Sequence, residues 1–480
     1  MNNDSFARFV DLKINHAFIL TVILCIAAGL RMLLIFDDFW LDEIWSLNLA
    51  KNVNNFSAIF TDLTFDANHI LNTAYLYLVR DADSWVIYRA VSFICGLISI
   101  ILIYKISLIF GKRQAVIAAI LSAVCFPLVL YSTEARGYSM SIMFSLLSFI
   151  CLYHFLINKK TWSIGAFWIC ALLAMLAHFS YSYFYAAIFQ WSLYVLWKSE
   201  IGLKKVVKNL LFLHLIPMAI FIYIYFKFVL KMGVAGANIS YWPEELLKFS
   251  SLMYGLPQNS VIGGLLLLLS VFMVLLVAYY QYKNNSIYWP LFPLVILINP
   301  LIIILFADVR FPQMRYFLLL LPFIIISFSI FINMAICQYR SIKFIYTVFV
   351  FVFVTANIGY AVLFSNHGRG EYSKAIQYLV SQTSNTKNTL VVSSDHDFRN
   401  YALLDFYNKY LKTGVTIHYV TQEVLSQYPP EWYFVHDFSV QPDPTSELLL
   451  LGKYHYKLEV SFLAFNPKII GWHWYIYKRA

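Results

Sequence analysis
Two arginines suited to anion recognition stand in polar segments between long apolar runs. Arg136 lies in Tyr131-Ser-Thr-Glu134-Ala-Arg136-Gly-Tyr138, and Arg315 in Ala307-Asp308-Val-Arg310-Phe-Pro312-Gln-Met-Arg315-Tyr316. A guanidinium matches phosphate oxygens bidentately. It can equally be a snorkelling anchor, or, for Arg136, the partner of Glu134 in a structural pair. On a helix, Glu134 and Tyr138 would share a face at i, i+4. Upstream, Asp37-Asp38-Phe-Trp40-Leu-Asp42-Glu43 places four carboxylates within seven residues at the end of an apolar run. Asp37 and Asp38 suit a solvated acidic collar, with Trp40 and Trp45 as interfacial anchors. Asp42 and Glu43 sit between apolar residues that press them onto a membrane domain, where an ionisable group is costly and marks function.

Two histidines invite two readings each. In Asn68-His69-Ile-Leu-Asn72-Thr73, Asn68 suits a helix cap, and His69 is either a hydrogen-bonded structural histidine or a catalytic one. Asn72 lies one helical turn after His69. His178, followed by Phe179-Ser-Tyr181-Ser-Tyr183, suits an aromatic belt or a site.

The elements that must position these residues are apolar. Hydrophobic residues make up 61% of the chain and charged residues 12%, with mean hydropathy +0.68. Soluble domains are about 25% charged, whereas a bilayer span needs roughly 20 apolar residues. Eleven apolar runs recur, at 17–36, 85–109, 114–131, 138–157, 162–178, 183–197, 209–229, 260–281, 287–306, 316–334 and 343–364. The net charge of +10 does not signal nucleic acid, because the cations fall in short loops and no basic–aromatic motif accompanies them. One set of connectors is basic: Arg8 and Lys13, Lys112-Arg113, Lys159-Lys160, Lys198 to Lys208, Lys283, and Arg340 with Lys343. The alternate connectors hold Asp42, His69, Arg136, His178 and Arg315. By the positive-inside rule the N-terminus is cytoplasmic and these five residues share the outer side. Six cysteines in or beside apolar runs show neither metal-ligand spacing nor a disulfide framework. The first apolar run carries no cleavage site and reads as a span.

Residues 1–364 thus form an all-α polytopic membrane domain of about eleven spans, and residues 365–480 a small soluble α/β domain outside. In the latter, 371–382 and 401–410 suit helices, and 389–393, 415–420, 432–435, 457–465 and 471–477 suit strands. No phosphate loop or catalytic constellation marks this tail, which suits a lid or acceptor-docking module. In the long loop 37–84, segments 42–52 and 56–64 suit short helices on the membrane surface.

Four motifs in order resemble the GT-C glycosyltransferases, closest to the protein-mannosyltransferase-like branch and its relatives acting on lipid A or lipopolysaccharide cores. They are Asp42-Glu43 after the first span, Asn68-His69-x-Leu71-Asn72-Thr73, Glu134-Ala-Arg136-Gly-Tyr138, and Arg315-Tyr316 with Pro322 following. Many members carry His-Pro-Pro where this chain has His69-Ile70-Leu71; the form here resembles a bacterial variant. The resemblance implies a GT-C fold, a polyprenyl-phosphate-linked sugar donor, and inverting transfer on the non-cytoplasmic face to a lipid, glycan or protein hydroxyl. It implies Asp42 as general base with Glu43 beside it. It implies Arg136 and Arg315 on the donor phosphate, and His69, Asn72, Glu134, Tyr138, His178 and Tyr316 lining the substrate site. No metal or other cofactor is expected, although the carboxylate pair could hold a divalent ion. The partners are membrane lipids and the substrates, in a bacterial inner membrane. Rivals are a transporter or flippase of lipid-linked sugars, a polymerase or ligase moving whole glycans, and a catalytically dead scaffold. Polar residues gathered at one face, with few ionisable groups at mid-span, disfavour transport.

Overall fold
The computed structural model describes residues 16–65, 68–199, 202–231, 242–306, 313–338, 343–383, 388–439, 441–465 and 471–480. Arg8, Lys13, Asp308, Arg310, Pro312 and Arg340, to which the sequence assigned a side of the membrane or a turn, lie outside the described residues.

The apolar runs are helices. In chain order the helices are α1 (His16–Ile35), α2 (Leu41–Asn52), α3 (Ile70–Val79), α4 (Trp85–Ser107), α5 (Lys112–Val124), α6 (Phe126–Tyr131), α7 (Tyr138–Leu156), α8 (Ser163–Ala177), α9 (Tyr181–Ser199) and α10 (Leu203–Lys227). They continue with α11 (Trp242–Met253), α12 (Ser260–Lys283), α13 (Asn299–Phe306), α14 (Leu320–Gln338), α15 (Lys343–His367), α16 (Tyr372–Ser381) and α17 (Asp397–Tyr410). Among the described residues, seven helices are long and apolar enough to cross a bilayer. The other four runs are shorter, more polar or interrupted: α5 and α6 part at Cys125, and a π-helical turn, Leu294–Ile298, precedes α13. The protein is a multi-pass membrane protein.

The chain divides into two compact units. The first, the helical unit, comprises residues 1–32, 53–78 and 89–361; the second, the tail unit, comprises 33–52, 79–88 and 362–480. The α5–α6 break shows how the helical unit tolerates irregular backbone. Pro127 has no N–H to give the Ala123 carbonyl, so that group needs another donor. Arg31, 1% exposed, supplies it: Nη1 donates to Ala123 O at 3.2 Å and to Ala27 O at 3.1 Å. On the other side of the break Asn357 Oδ1 accepts the Phe126 N–H at 2.7 Å. Buried polar side chains here do what water cannot do in an apolar interior. The break turns the chain into the connector 132–137, which carries Glu134 and Arg136.

The tail unit holds a six-stranded sheet with order β2-β1-β3-β6-β5-β4, formed by β1 (Thr389–Ser394), β2 (Thr416–Tyr419), β3 (Trp432–Asp437), β4 (Glu447–Leu450), β5 (Tyr454–Phe462) and β6 (His473–Arg479). β2, β1 and β3 run parallel, with Val392 opposite Trp432. β6 then pairs antiparallel with β3, placing Ile476 opposite Phe434. Alternation sorts β6 into two faces. Trp474 meets α16 and α17, its Nε1 donating to Asn400 Oδ1 at 2.7 Å and its ring lying 5.0 Å from Tyr372. Tyr475 and Tyr477 join Val420, Leu425, Tyr433 and Tyr456 in a second apolar cluster. The expected strands are present; β4 is an addition, a four-residue edge strand too short to stand out in sequence.

In the same unit Asp37 and Asp38 depart from the expected solvated collar. Asp37 Oδ2 accepts the Arg369 N–H at 3.1 Å and lies 3.5 Å from Nη1 of that fully buried arginine. Asp38 Oδ2 accepts Ser373 N at 2.7 Å, capping α16, whose own N-cap residue Glu371 makes no side-chain cap. Their partners come from more than 300 residues away, which no local pattern reveals.

Candidate functional site
In the helical unit two of the motifs interlock. His69 and Asn72 straddle the start of α3 and both address the backbone of the connector 132–137. His69 Nδ1 accepts the Gly137 N–H at 2.9 Å, and Asn72 Nδ2 donates to Ala135 O at 2.8 Å. Ser92 Oγ of α4 donates to Arg136 O at 3.0 Å. A buried six-residue connector must find such partners for its peptide groups, so the Asn-His-x-Leu-Asn spacing serves to hold Glu134-Ala-Arg-Gly in place. Gly137 is required by space: a Cβ there would collide with Ala177 O and crowd His69 Nδ1. Glu134 precedes the helix that begins at Tyr138, so the expected i, i+4 helical pairing does not apply.

Aromatic and cationic groups converge on the same place. The His69 ring lies 5.2 Å from Tyr138 and 4.6 Å from His178, and His178 lies 5.5 Å from Tyr316. The Arg136 guanidinium sits 5.9 Å from the Tyr138 ring centroid, and that of Arg315, from the 3₁₀ turn Met314–Phe317, lies 6.0 Å from Tyr316. His178 caps the end of α8, and its Nδ1 accepts the Ser180 N–H at 3.0 Å. His178 is therefore a buried member of this cluster rather than part of an aromatic belt. With Nδ1 of each histidine accepting from a peptide, the neutral tautomer carries its proton on Nε2.

The convergence has an electrostatic consequence. Burial first, then the charge of Arg136, then His178 and Arg315, push His69 well below the usual histidine value. Burial, Arg136 and Arg315 lower His178 to about 3. Both imidazoles are neutral donors beside two fixed cations, an arrangement that favours an anion.

In the tail unit, α2 is preceded by Trp40 at the N-cap, whose carbonyl accepts from Glu43 N and Ile44 N, each at 3.0 Å. Trp40 cannot cap with its own side chain. Glu43, fully buried at the third helical position, returns Oε2 to the Trp40 N–H at 3.3 Å, the carboxylate half of a capping box. Asp42 lies in the same first turn, half-buried, where the helix dipole favours negative charge. Among the described residues no three His, Cys, Asp or Glu side chains gather as a metal site.

Residues 71–226 match the family described as dolichyl-phosphate-mannose-protein mannosyltransferase. The match covers less than half of the chain and includes Asn72, Glu134, Arg136, Tyr138 and His178. The crystal structure of the Archaeoglobus fulgidus oligosaccharyltransferase, in complex with zinc and sulfate, aligns over 87% of this chain and 68% of that one, at 11% identity and TM-score 0.51. The fold is that of the GT-C glycosyltransferases. ArnT from Cupriavidus metallidurans, bound to undecaprenyl phosphate, aligns over 88% of this chain and 92% of that one, at 11% identity and TM-score 0.48. No curated protein matches the chain. The resemblance read from the four motifs is thus borne out in family match and GT-C fold. Asp42, His69 and Arg315 fall outside the matched segment, and their standing rests on the geometry above.

Proposed function
We propose that this protein is an inverting glycosyltransferase. It moves a sugar from a polyprenyl-phosphate-linked donor to a hydroxyl of a lipid, glycan or protein on the non-cytoplasmic face. The observation that carries this reading is the convergence of the buried Arg136, His69 and His178 with the half-buried Arg315, a cationic place with neutral donors suited to a phosphate. The family match adds a donor class, a mannosyl phosphodiester of a polyprenol.

Asp42 takes the proton of the acceptor hydroxyl as that oxygen attacks C1 of the sugar. The bond from C1 to the phosphate oxygen breaks with its electron pair on the departing polyprenyl phosphate, and configuration inverts. Arg136 and Arg315 offset the charge that grows on that phosphate. Phosphate is a good leaving group, so no strong acid is required. Glu43 holds the helix start that carries Asp42, while His69 and Asn72 fix the connector that carries Arg136. Glu134, Tyr138, His178 and Tyr316 line the donor side. The N-terminus is cytoplasmic and the tail extracytoplasmic, in a bacterial inner membrane; residues 365–480 serve acceptor docking.

Mass spectrometry of surface glycolipids and glycoproteins, with and without the gene, tests the reading. One class is expected to lose a single sugar. Unchanged glycans together with accumulated lipid-linked sugar on the cytoplasmic leaflet would instead make the protein a flippase.

A further inference from the structure
Asp42 has company within the tail unit that the reaction above does not use. α2 packs on α17: the Trp45 ring lies 4.8 Å from Phe398, Phe39 stacks on Phe406 at 5.4 Å, and Tyr407 OH donates to Phe39 O at 2.8 Å. Trp45 follows Asp42 by about one turn, and Phe398 immediately precedes Arg399, so the first turns of the two helices meet. Arg399 is held from behind. Its Nη1 donates to His436 Nε2 at 3.2 Å, which leaves Nδ1 of that imidazole to donate to Asp395 Oδ2 at 2.7 Å. Asp395 is fixed in turn by His436 N at 3.1 Å and by Asn400 Nδ2 at 3.1 Å. The guanidinium lies 5.3 Å from the Phe438 ring centroid. Burial lowers the pKa of Arg399, while Asp395 and then Asp42 oppose that shift, so the Asp42 charge reaches the guanidinium.

We propose that the tail positions and charges the general base: the chain Asp395–His436–Arg399 holds a guanidinium beside Asp42, keeping that carboxylate ionised and aimed. Arg399 is a positioning residue, and its importance for transfer rests on Asp42 being the base. The pairing gives the tail a part in the chemistry beyond docking. An opposite charge at close range favours the ionised form of a carboxyl, by about 1–3 pKa units. The other titratable groups around the pair are Glu43 on α2, Asp397 on α17, Asp395 and His396 after β1, and His436 on β3. Asp37 and Asp38 precede α2 and are engaged with Arg369 and α16.

The test uses the full-length protein in nanodiscs and a hydrophobic carbodiimide, which modifies protonated carboxyls, with Asp42 labelling followed against pH by peptide mass spectrometry. Arg399→Gln is expected to raise the labelling midpoint of Asp42 by about one pH unit, and Arg399→Lys to leave it near the wild-type value. Should Arg399→Gln fail to fold, His436→Gln, which unties the guanidinium, is expected to move the midpoint the same way by less. A midpoint unchanged in every folded variant overturns the proposal. Sugar transfer by Asp42→Asn is measured separately: an active variant would remove the general-base reading while leaving the labelling result to judge the pairing.

Discussion
His69 and His178 lie buried in the helical unit beside two arginines, and both the burial and the neighbouring charges drive their protons off. Asp42 lies half-buried in the tail unit at a helix N-terminus within the field of Arg399. The first group combines fixed cations with neutral donors, which suits holding an anion. The second combines a carboxylate with a cation that keeps it ionised, which suits accepting a proton. One protein thus uses desolvation in one unit and pairing in the other to hold titratable groups in the state the proposed transfer needs.

The sharpest way to break the comparison is to remove the carboxylate charge. Asp42→Asn is expected to lower transfer by about 10²–10⁴-fold, the usual worth of a general base, with expression and folding intact; full activity would end its role. Next come Arg136→Ala and Arg315→Ala, each expected to cost about 10²–10³-fold in donor kcat/KM, as for loss of one donor to a developing anion. Unchanged donor affinity and turnover in both would take the phosphate role away. A Lys at either position keeps the charge but not the fork, and is expected to recover part of the loss.

Asp37→Ala probes the tail unit without touching the proposed chemistry. Leaving Arg369 buried without this partner is expected to cost about 3 kcal/mol, as for breaking a buried pair, read as a lower melting temperature in detergent. The pH dependence of stability tests His178. Unfolded, it binds a proton near pH 6.5; folded, it does so only near 3. Below pH 6.5 the unfolded state therefore holds the extra proton, and stability falls as pH drops from 6.5 toward 3. His178→Gln is expected to flatten that decline in a pH series of thermal melts, and an unaltered slope would mean that the burial of His178 plays no part.

Much of this was legible beforehand. The eleven apolar runs became helices because span hydropathy is a local property. The Asn-His-x-Leu-Asn and Glu-Ala-Arg-Gly-Tyr segments stood out because polar residues are rare in such a chain. Their mutual fit, with His69 on Gly137 and Asn72 on Ala135, was not visible, since each reads as an ordinary loop alone. Asp37 and Asp38 looked like solvated carboxylates because Arg369 and the start of α16 are distant in sequence. Arg399, Asp395 and His436 lie in a tail whose sequence shows no motif. One signal could have found them: Asp395 and His396 stand at the carboxyl end of the parallel strand β1, where α/β sheets tend to place ligand-binding groups.

Composition and periodicity by themselves determined a many-helix membrane protein with a layered α/β tail, since apolar runs and strand alternation depend only on neighbours along the chain. Tertiary structure alone decided which polar residues meet. Arg31 answers the carbonyl that Pro127 leaves open, Gly137 admits His69, and Arg399 meets His436 with Asp395 behind it. Such contacts exist because a buried hydrogen-bonding group must find a partner wherever the fold provides one, and that choice is made between segments as much as 368 positions apart, as from Phe39 to Tyr407.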